Sequence, residues 1–414
     1  MQANPARPYQ TRLIVILGIT FGFVFFDRNA VNYLMPFILK DLHFSNTQVG
    51  IIASALSFTW ALAGLFGGAI SDHTGKRKAP LLIAVVAFSL CSFLSGIAGS
   101  FAMLLLARLL MGLAEGPILP ISQSLVALES SDDRRGHNMG VMQNFGSNLL
   151  GSFLAPLVLV ALATAYHWRT AFFIAGVPGL IMAFFIWRYV HEPRAGGSGG
   201  GPTSAIAAAP AEKMHPLQML RFRNMRLCIL MSIVMVAWMV LGWAFLPLYY
   251  TSVRHMDPQQ MSWQVSVLGI SAAVCSFIVP GLSDRFGRRR VVILFNLIGV
   301  LVPLAALYYH GSPYMLAALV FIGWSASGTF PLFMGTIPSE TIPARMVATG
   351  LGLVMGIGEI LGGVAGPTLA GIAADRHGLK APIMIMLGCA IVGTVLAVFL
   401  EETAPRVQRA QLPN

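Results

Sequence analysis

The stretch GGAISDHTGKRK, Gly67–Lys78, closes a long apolar run and returns as PGLSDRFGRRR, Pro280–Arg290. Asp72 matches Asp284, Gly75 matches Gly287 and Arg77 matches Arg289, each 212 residues apart. Further identities recur at an offset of 211: Pro36 with Pro247, Gly112 with Gly323, Pro120 with Pro331 and Glu129 with Glu340. Arg134 with Arg345, Gly151 with Gly362 and Pro156 with Pro367 continue the series at 211. Self-similarity at nearly one offset along the chain marks two homologous halves.

Composition says what those halves are made of. The chain has 414 residues, 56% hydrophobic and only 10% charged, whereas soluble domains are roughly 25% charged. Apolar segments of about 20 residues or more, enough to cross roughly 30 Å of hydrocarbon, recur twelve times. They centre near Val24, Thr59, Ser89, Leu113, Leu150, Leu180, Val240, Ala272, Ile298, Ser325, Glu359 and Ile391. All are expected to be helices, because in lipid each segment must satisfy its own backbone hydrogen bonds. The first run is too long, and too interrupted by charge, for a cleavable signal peptide. RAGGSGGGPTSAIAAAPAEK, Arg194–Lys213, reads as a flexible linker. The expected organisation is a six-helix bundle over 1–190, a linker over 191–225 and a second bundle over 226–414.

The charges orient the chain. Of 27 Lys and Arg, Arg28 and Arg108 lie inside spans, and 20 of the remaining 25 fall on the side of the termini. Only Lys40, Arg169, Arg254, Arg376 and Lys380 fall opposite. The positive-inside rule then places both termini and the linker in the cytoplasm. It also accounts for the net charge of +11 without nucleic acid, since the basic residues meet anionic headgroups. Cys91, Cys228, Cys275 and Cys389 all sit in apolar segments without metal-ligand spacing and read as packing residues. The nine histidines fall near helix ends, so no metal site or cofactor is expected.

With its second copy and twelve spans, the loop at Asp72 resembles that of the major facilitator superfamily. Glycine permits its tight turn, Asp72 can accept hydrogen bonds at a helix end, and Lys76, Arg77 and Lys78 reach the headgroups. The resemblance implies an all-α fold of two pseudo-symmetric six-helix bundles around a central cavity that opens alternately to each side. It also implies a conformational latch at Asp72 and Asp284, with Arg77 and Arg289 beside them. Within the superfamily, FFDRNAVNY in the first span and ARLLMGLAEGPILP in the fourth resemble the anion:cation symporter family.

Five ionisable residues lie deep in the spans: Asp27, Arg28, Arg108, Glu115 and Glu359. Each costs roughly 3 kcal/mol at a helix centre, together on the order of 15 kcal/mol. That is comparable with the net stability of a domain, so such residues persist only if they pair, face water or act. Asp27 and Arg28 stand about 100° apart on one helix and can border one cavity. Arg108 and Glu115 are seven residues apart, two turns along one face, with Gly112 between them leaving room for a partner. Arg28 is a planar fork of donors suited to a carboxylate. With Asp27 ionised, Arg28 has a partner; once Asp27 is protonated, an organic anion replaces the lost charge. By resemblance, Arg28 contacts the substrate carboxylate, Asp27 and Glu115 carry protons, and Arg108 resets Glu115.

Secondary candidates for substrate contact are Asn32, Tyr33, Trp60, Asn144, Ser147, Asn148 and Glu359. The family often has asparagine where this chain has Glu359. Trp60, Trp238, Trp243, Tyr249 and Trp324 are candidates for an apolar wall. The glycines of GSNLLGSFLAP and GEILGGVAGP are expected where helices 5 and 11 meet neighbours across the halves. The expected function is proton-coupled uptake of a small organic anion, such as a sugar acid, aromatic acid or dicarboxylate, by a monomer in the bacterial inner membrane. The alternative is an anion exchanger or facilitator without proton coupling. A membrane enzyme lacks any H-E-x-x-H or G-x-S-x-G motif, and a signalling receptor lacks room for an output domain in the linker.

Overall fold

The structure, a computed structural model, describes residues 6–74, 76–130, 135–192, 216–343, 346–404 and 406–407. Most of the linker, 193–215, lies outside the described residues. Twelve helices among them are long and apolar enough to cross a membrane. The first six are α1 (Tyr9–Leu42), α2 (Asn46–Gly64), α3 (Lys78–Gly96), α4 (Phe101–Glu129), α5 (Asn138–Ala165) and α6 (Trp168–Tyr189). The others are α7 (Arg223–Ser252), α8 (Pro258–Phe286), α9 (Arg288–Tyr308), α10 (Pro313–Thr341), α11 (Thr349–His377) and α12 (Lys380–Val398). Every expected centre falls inside its helix.

The chain forms two compact units, one of residues 1–44 and 55–207, the other of 45–54 and 208–414. In the first, α1 packs on α5 and α6, and α3 packs on α6 and α4. In the second, α7 packs on α11 and α12, and α9 packs on α12 and α10. Adding six to each helix number converts one list into the other, so the repeat in the sequence is a repeat of packing. The opening of α2, Ser45–Ser54, groups with the second unit. There the Asp375 carboxylate accepts from the backbone N–H of Asn46 at 2.8 Å and of Thr47 at 2.9 Å.

Small residues set the closest approaches. A Cβ on Gly151 would stand 2.3 Å from Phe25 Cβ on α1, and one on Gly362 would stand 2.3 Å from the Ile233 carbonyl on α7. Gly146 likewise abuts Gly18 and Gly22 of α1, and Gly358 abuts Ser232 of α7. These four glycines therefore join helices within each unit. Absence of a side chain lets the backbones touch where lipid supplies no hydrophobic drive.

The same segments depart from α-helical winding. Ser147–Leu154 in α5 and Gly358–Ala365 in α11 have wide, π-type turns, and each ends two residues before a proline, Pro156 or Pro367. A proline gives no N–H to the carbonyl four residues back and its ring crowds that carbonyl; a widened turn relieves the crowding. Proline also breaks α4. Its first segment, Phe101–Glu115, ends at Gly116–Pro117, and Ile118–Glu129 resumes beyond. Glu115 is thus the last residue before an interruption in the helix.

At the start of α3 and of α9 the two units repeat one arrangement. The Glu192 carboxylate accepts from the backbone N–H of Arg77 and, at 3.0 Å, of Lys78. The Glu402 carboxylate accepts from the N–H of Arg288 at 2.7 Å and of Arg289 at 3.2 Å. Arg77 therefore corresponds in space to Arg288, at the same offset of 211 as the rest of the repeat. The pairing of Arg77 with Arg289 is corrected by one residue. Arg288, not Arg289, carries the ion pairs, to Asp284 at 2.6 Å and to Glu340 at 3.0 Å. Arg77 donates from Nε to Ser124 Oγ at 2.6 Å. The side chain of Asp72 lies outside the described residues.

Candidate functional site

Four of the five mid-span ionisable residues meet in the first unit. Asp27 and Arg108 are fully buried and Glu115 is 1% exposed. Arg28 is half-buried. Asp27 of α1 accepts a hydrogen bond at Oδ1 from Ser92 of α3, at 2.7 Å. Arg108 of α4 donates to Ser95 of α3 at 2.8 Å and to the backbone carbonyl of Arg28 at 3.4 Å. Its guanidinium also lies over the ring of Phe172, 5.6 Å from the centroid.

Arg28 points elsewhere. Its guanidinium lies over Trp60 of α2, 4.9 Å from the ring centroid, and 5.5 Å from that of Phe25. Cation–π contacts of this kind hold a guanidinium by its faces and leave its edge donors free. The ion pairs among the described residues, within 4.0 Å, join Arg169 to Asp41, His167 to Asp41, Arg223 to Glu401, and Arg288 to Asp284 and Glu340. Neither Arg28 nor Arg108 is in such a pair.

Asp27 and Arg28 engage different helices: Asp27 accepts from Ser92 of α3, and Arg28 lies over Trp60 of α2. Among the described residues, neither of the expected couples, Asp27 with Arg28 and Glu115 with Arg108, forms an ion pair within 4.0 Å. The physical reason is helix geometry. Residues 27 and 28 project about 100° apart, so Asp27 turns toward α3 and Arg28 toward α2. Asp27 Oδ2, Arg108 Nε and both oxygens of Glu115 have no hydrogen-bond partner among the described residues. Buried polar atoms are almost always paired, so a cluster with this many unpaired is unusual for a purely structural set of side chains.

The other expectations divide. Gly112 opens no space beside Glu115. A Cβ there would stand 2.1 Å from Thr59 Oγ1 and 2.5 Å from the Leu56 carbonyl, so Gly112 is the seat of α2 on α4. Tyr33 is fully buried, and its hydroxyl donates to the Gly151 carbonyl at 3.3 Å, as does the Asn29 amide at 3.3 Å. Both fasten α1 to α5. Ser147 is buried and donates to the Gln143 carbonyl within its own helix, at 2.6 Å. Asn32, Asn144 and Asn148 are half-buried, and Asn148 lies on the π-type stretch of α5.

In the second unit, Glu359 is half-buried on the matching stretch of α11, at the offset of 211 from Asn148. Trp238 and Trp324 are not a wall. They are fully buried and stacked with centroids 4.6 Å apart, and Trp243 packs edge-on to Trp324 at 5.1 Å. Tyr249 is 2% exposed and belongs to the same interior. The sequence reading passed over Ser92 and Ser95. Their signal was a stripe of small polar residues, Ser89, Ser92 and Ser95, at helical spacing in an otherwise apolar span.

With this fold and polar cluster in view, comparison with known proteins identifies the class. The sequence model of the Major Facilitator Superfamily matches residues 17–257 and 227–413. The chain belongs to the major facilitator superfamily, and is a multi-pass membrane transporter rather than an enzyme. It is similar to a hexuronate transporter of Bacillus subtilis (strain 168), 28% identical over 395 residues that cover 90% of each chain. It is also similar to a probable 4-methylmuconolactone transporter of Cupriavidus pinatubonensis, 27% identical over 81% of this chain and 78% of that one. Among solved structures, a bacterial homologue of the human lysosomal transporter Spinster has the same fold. It superposes with a TM-score of 0.74 at 17% identity, over 96% of this chain and 97% of that one.

Proposed function

We propose that this transporter carries a small organic anion, in the class of carboxylates such as sugar acids, into the cell together with a proton. The observation that carries the reading is Arg28: a half-buried guanidinium laid on Trp60 and Phe25 with no carboxylate within 4.0 Å among the described residues. A guanidinium held by its faces offers its planar fork to a carboxylate. Similarity to a hexuronate carrier supports an anionic, oxygen-rich cargo.

Charge balance supplies the coupling. Asp27, Arg28, Arg108 and Glu115 sum to zero when all are ionised. An arriving carboxylate adds one negative charge to a site where uncompensated charge is costly, and one proton on Asp27 or Glu115 restores the balance. Proton and anion then favour one another's binding, by equal factors in either order. Access to the bound anion alternates between the two sides of the membrane, with the termini and the basic loops in the cytoplasm and the basic residues at the headgroups.

The test uses the purified protein in liposomes. A thermal-shift screen against carboxylates, with glucuronate as the first probe, identifies a ligand. Arg28→Ala should abolish the shift. Asp27→Asn should retain counterflow of labelled glucuronate yet lose accumulation driven by a proton gradient. Robust gradient-driven accumulation by Asp27→Asn would refute the proton role. Absence of proton movement on adding substrate to the wild-type protein would instead mark an exchanger or facilitator.

A further inference from the structure

Helix α3 brings no carboxylate or cationic side chain to the cluster, yet it holds one acid and one base of it. Ser92 and Ser95 are fully buried and about one turn apart. Ser95 Oγ accepts from Arg108 at 2.8 Å while donating to the Cys91 carbonyl at 2.8 Å, so both its functions are taken. Ser92 differs. Its Oγ lies 2.7 Å from Asp27 Oδ1 and 2.9 Å from the backbone carbonyl of Phe172 on α6. Both neighbours are acceptors, and a hydroxyl has a single proton to give. It can satisfy only one of them at a time.

We propose that Ser92 is the positioning residue of the Asp27 proton site, its hydroxyl alternating between the carboxylate and the Phe172 carbonyl as Asp27 loses and gains a proton. The inference rests on the reading of Asp27 as a proton carrier. With Asp27 ionised, Ser92 donates to Oδ1. When a proton from solvent binds the carboxylate, the new O–H donates to Ser92 Oγ, and the serine proton turns to the Phe172 carbonyl. No other bond is made or broken. In each state Ser92 Oγ and Asp27 Oδ1 remain hydrogen-bonded to one another and the serine proton keeps an acceptor, which matters where an unpaired polar atom is most expensive. The exchange also ties the charge of α1 to the seam between α3 and α6. The charged and titratable groups facing Asp27 are Arg108 and Glu115 of α4 and Cys91 of α3. Arg28 is its chain neighbour, and α6 meets Ser92 through a backbone carbonyl that does not titrate.

Infrared difference spectra of the protein in liposomes, recorded on stepping the pH, read this directly and need no transported ligand. The C=O stretch of protonated Asp27 is assigned by its loss in Asp27→Asn. In Ser92→Ala that band should move to higher frequency, because its O–H has lost its acceptor, and the pH midpoint of its appearance should be displaced by about half a unit or more. Ser92→Thr, which keeps the hydroxyl, should leave band and midpoint near the wild-type values. Ser92→Cys, a weaker partner of similar size, should fall between, and serves as the comparison if the alanine variant does not fold. An unmoved band and midpoint in both Ser92→Ala and Ser92→Cys would overturn the assignment while leaving Asp27 as proton carrier. If Asp27→Asn removes no band, the proton reading of Asp27 fails and Ser92 with it.

Discussion

Arg28 shows how far a single side chain can be argued. A lysine in its place would keep the charge but not the planar fork, and would stack less well on Trp60. Arg28→Lys is expected to weaken glucuronate binding by roughly tenfold or more, about the worth of one lost charge-assisted hydrogen bond. Isothermal titration against the wild type checks this, and equal affinities would remove Arg28 from the anion site. That Asp27, Arg28, Arg108 and Glu115 lie within the spans was legible in the chain, because charges in apolar runs stand out. What each of them touches was not. Adjacency along a helix places Asp27 and Arg28 on different faces, and only the fold brings Ser92 to the first and Trp60 to the second. Ser92 was silent for another reason: serine is common in membrane helices, and nothing local announces a neighbour 65 residues away.

At the scale of the element, twelve spans could be read from hydropathy alone, since lipid leaves the backbone little choice. The π-type turns could not. Prolines at 156 and 367 hinted at distortion, but a proline can kink, break or widen a helix. Gly112 is a second lesson. Seen on one helix it looked like space beside Glu115; seen between two it is the surface on which α2 rests. Gly112→Ala would drive a methyl group against the Leu56 carbonyl, 2.5 Å away. Overpacking of this kind costs about 1–3 kcal/mol, so the variant should unfold at a clearly lower temperature in detergent. Gly99→Ala, with nothing within 4 Å of the added Cβ, is the matched control and should be near neutral. A Gly112→Ala protein as stable as the control would show that α2 and α4 can separate freely.

For the whole molecule, the duplication was plain in the sequence, and the packing of α1 and α3 on their neighbours is repeated by that of α7 and α9. The register slipped by one residue at the loop after each second helix, because Asp72 and Asp284 invited an offset of 212 while the arginines obey 211. A testable difference follows. The Arg288 guanidinium, 9% exposed, holds both Asp284 and Glu340, so Arg288→Gln should strand Glu340 and cost roughly 1.5–3 kcal/mol. Arg289→Gln, at an exposed site, should change stability by less than about 0.5 kcal/mol. Thermal unfolding of the two variants side by side decides between them; a larger loss in Arg289→Gln would restore the register read from the sequence.

The offset of 211 also pairs each mid-span ionisable group with its counterpart: Asp27 with Trp238, Arg28 with Met239, Arg108 with Leu319, Glu115 with Ala326, and Glu359 with Asn148. In all five, the twin residue is uncharged. An ancestral gene that doubled itself thus left two copies that share ionisable residues in the loops, such as Asp72 with Asp284, but none in the middle of the spans. A chimaera stitched from two first halves would contain eight such charges, and one stitched from two second halves only two. The halves of this chain, heirs of one ancestor, thus carry different sets of charge within the membrane.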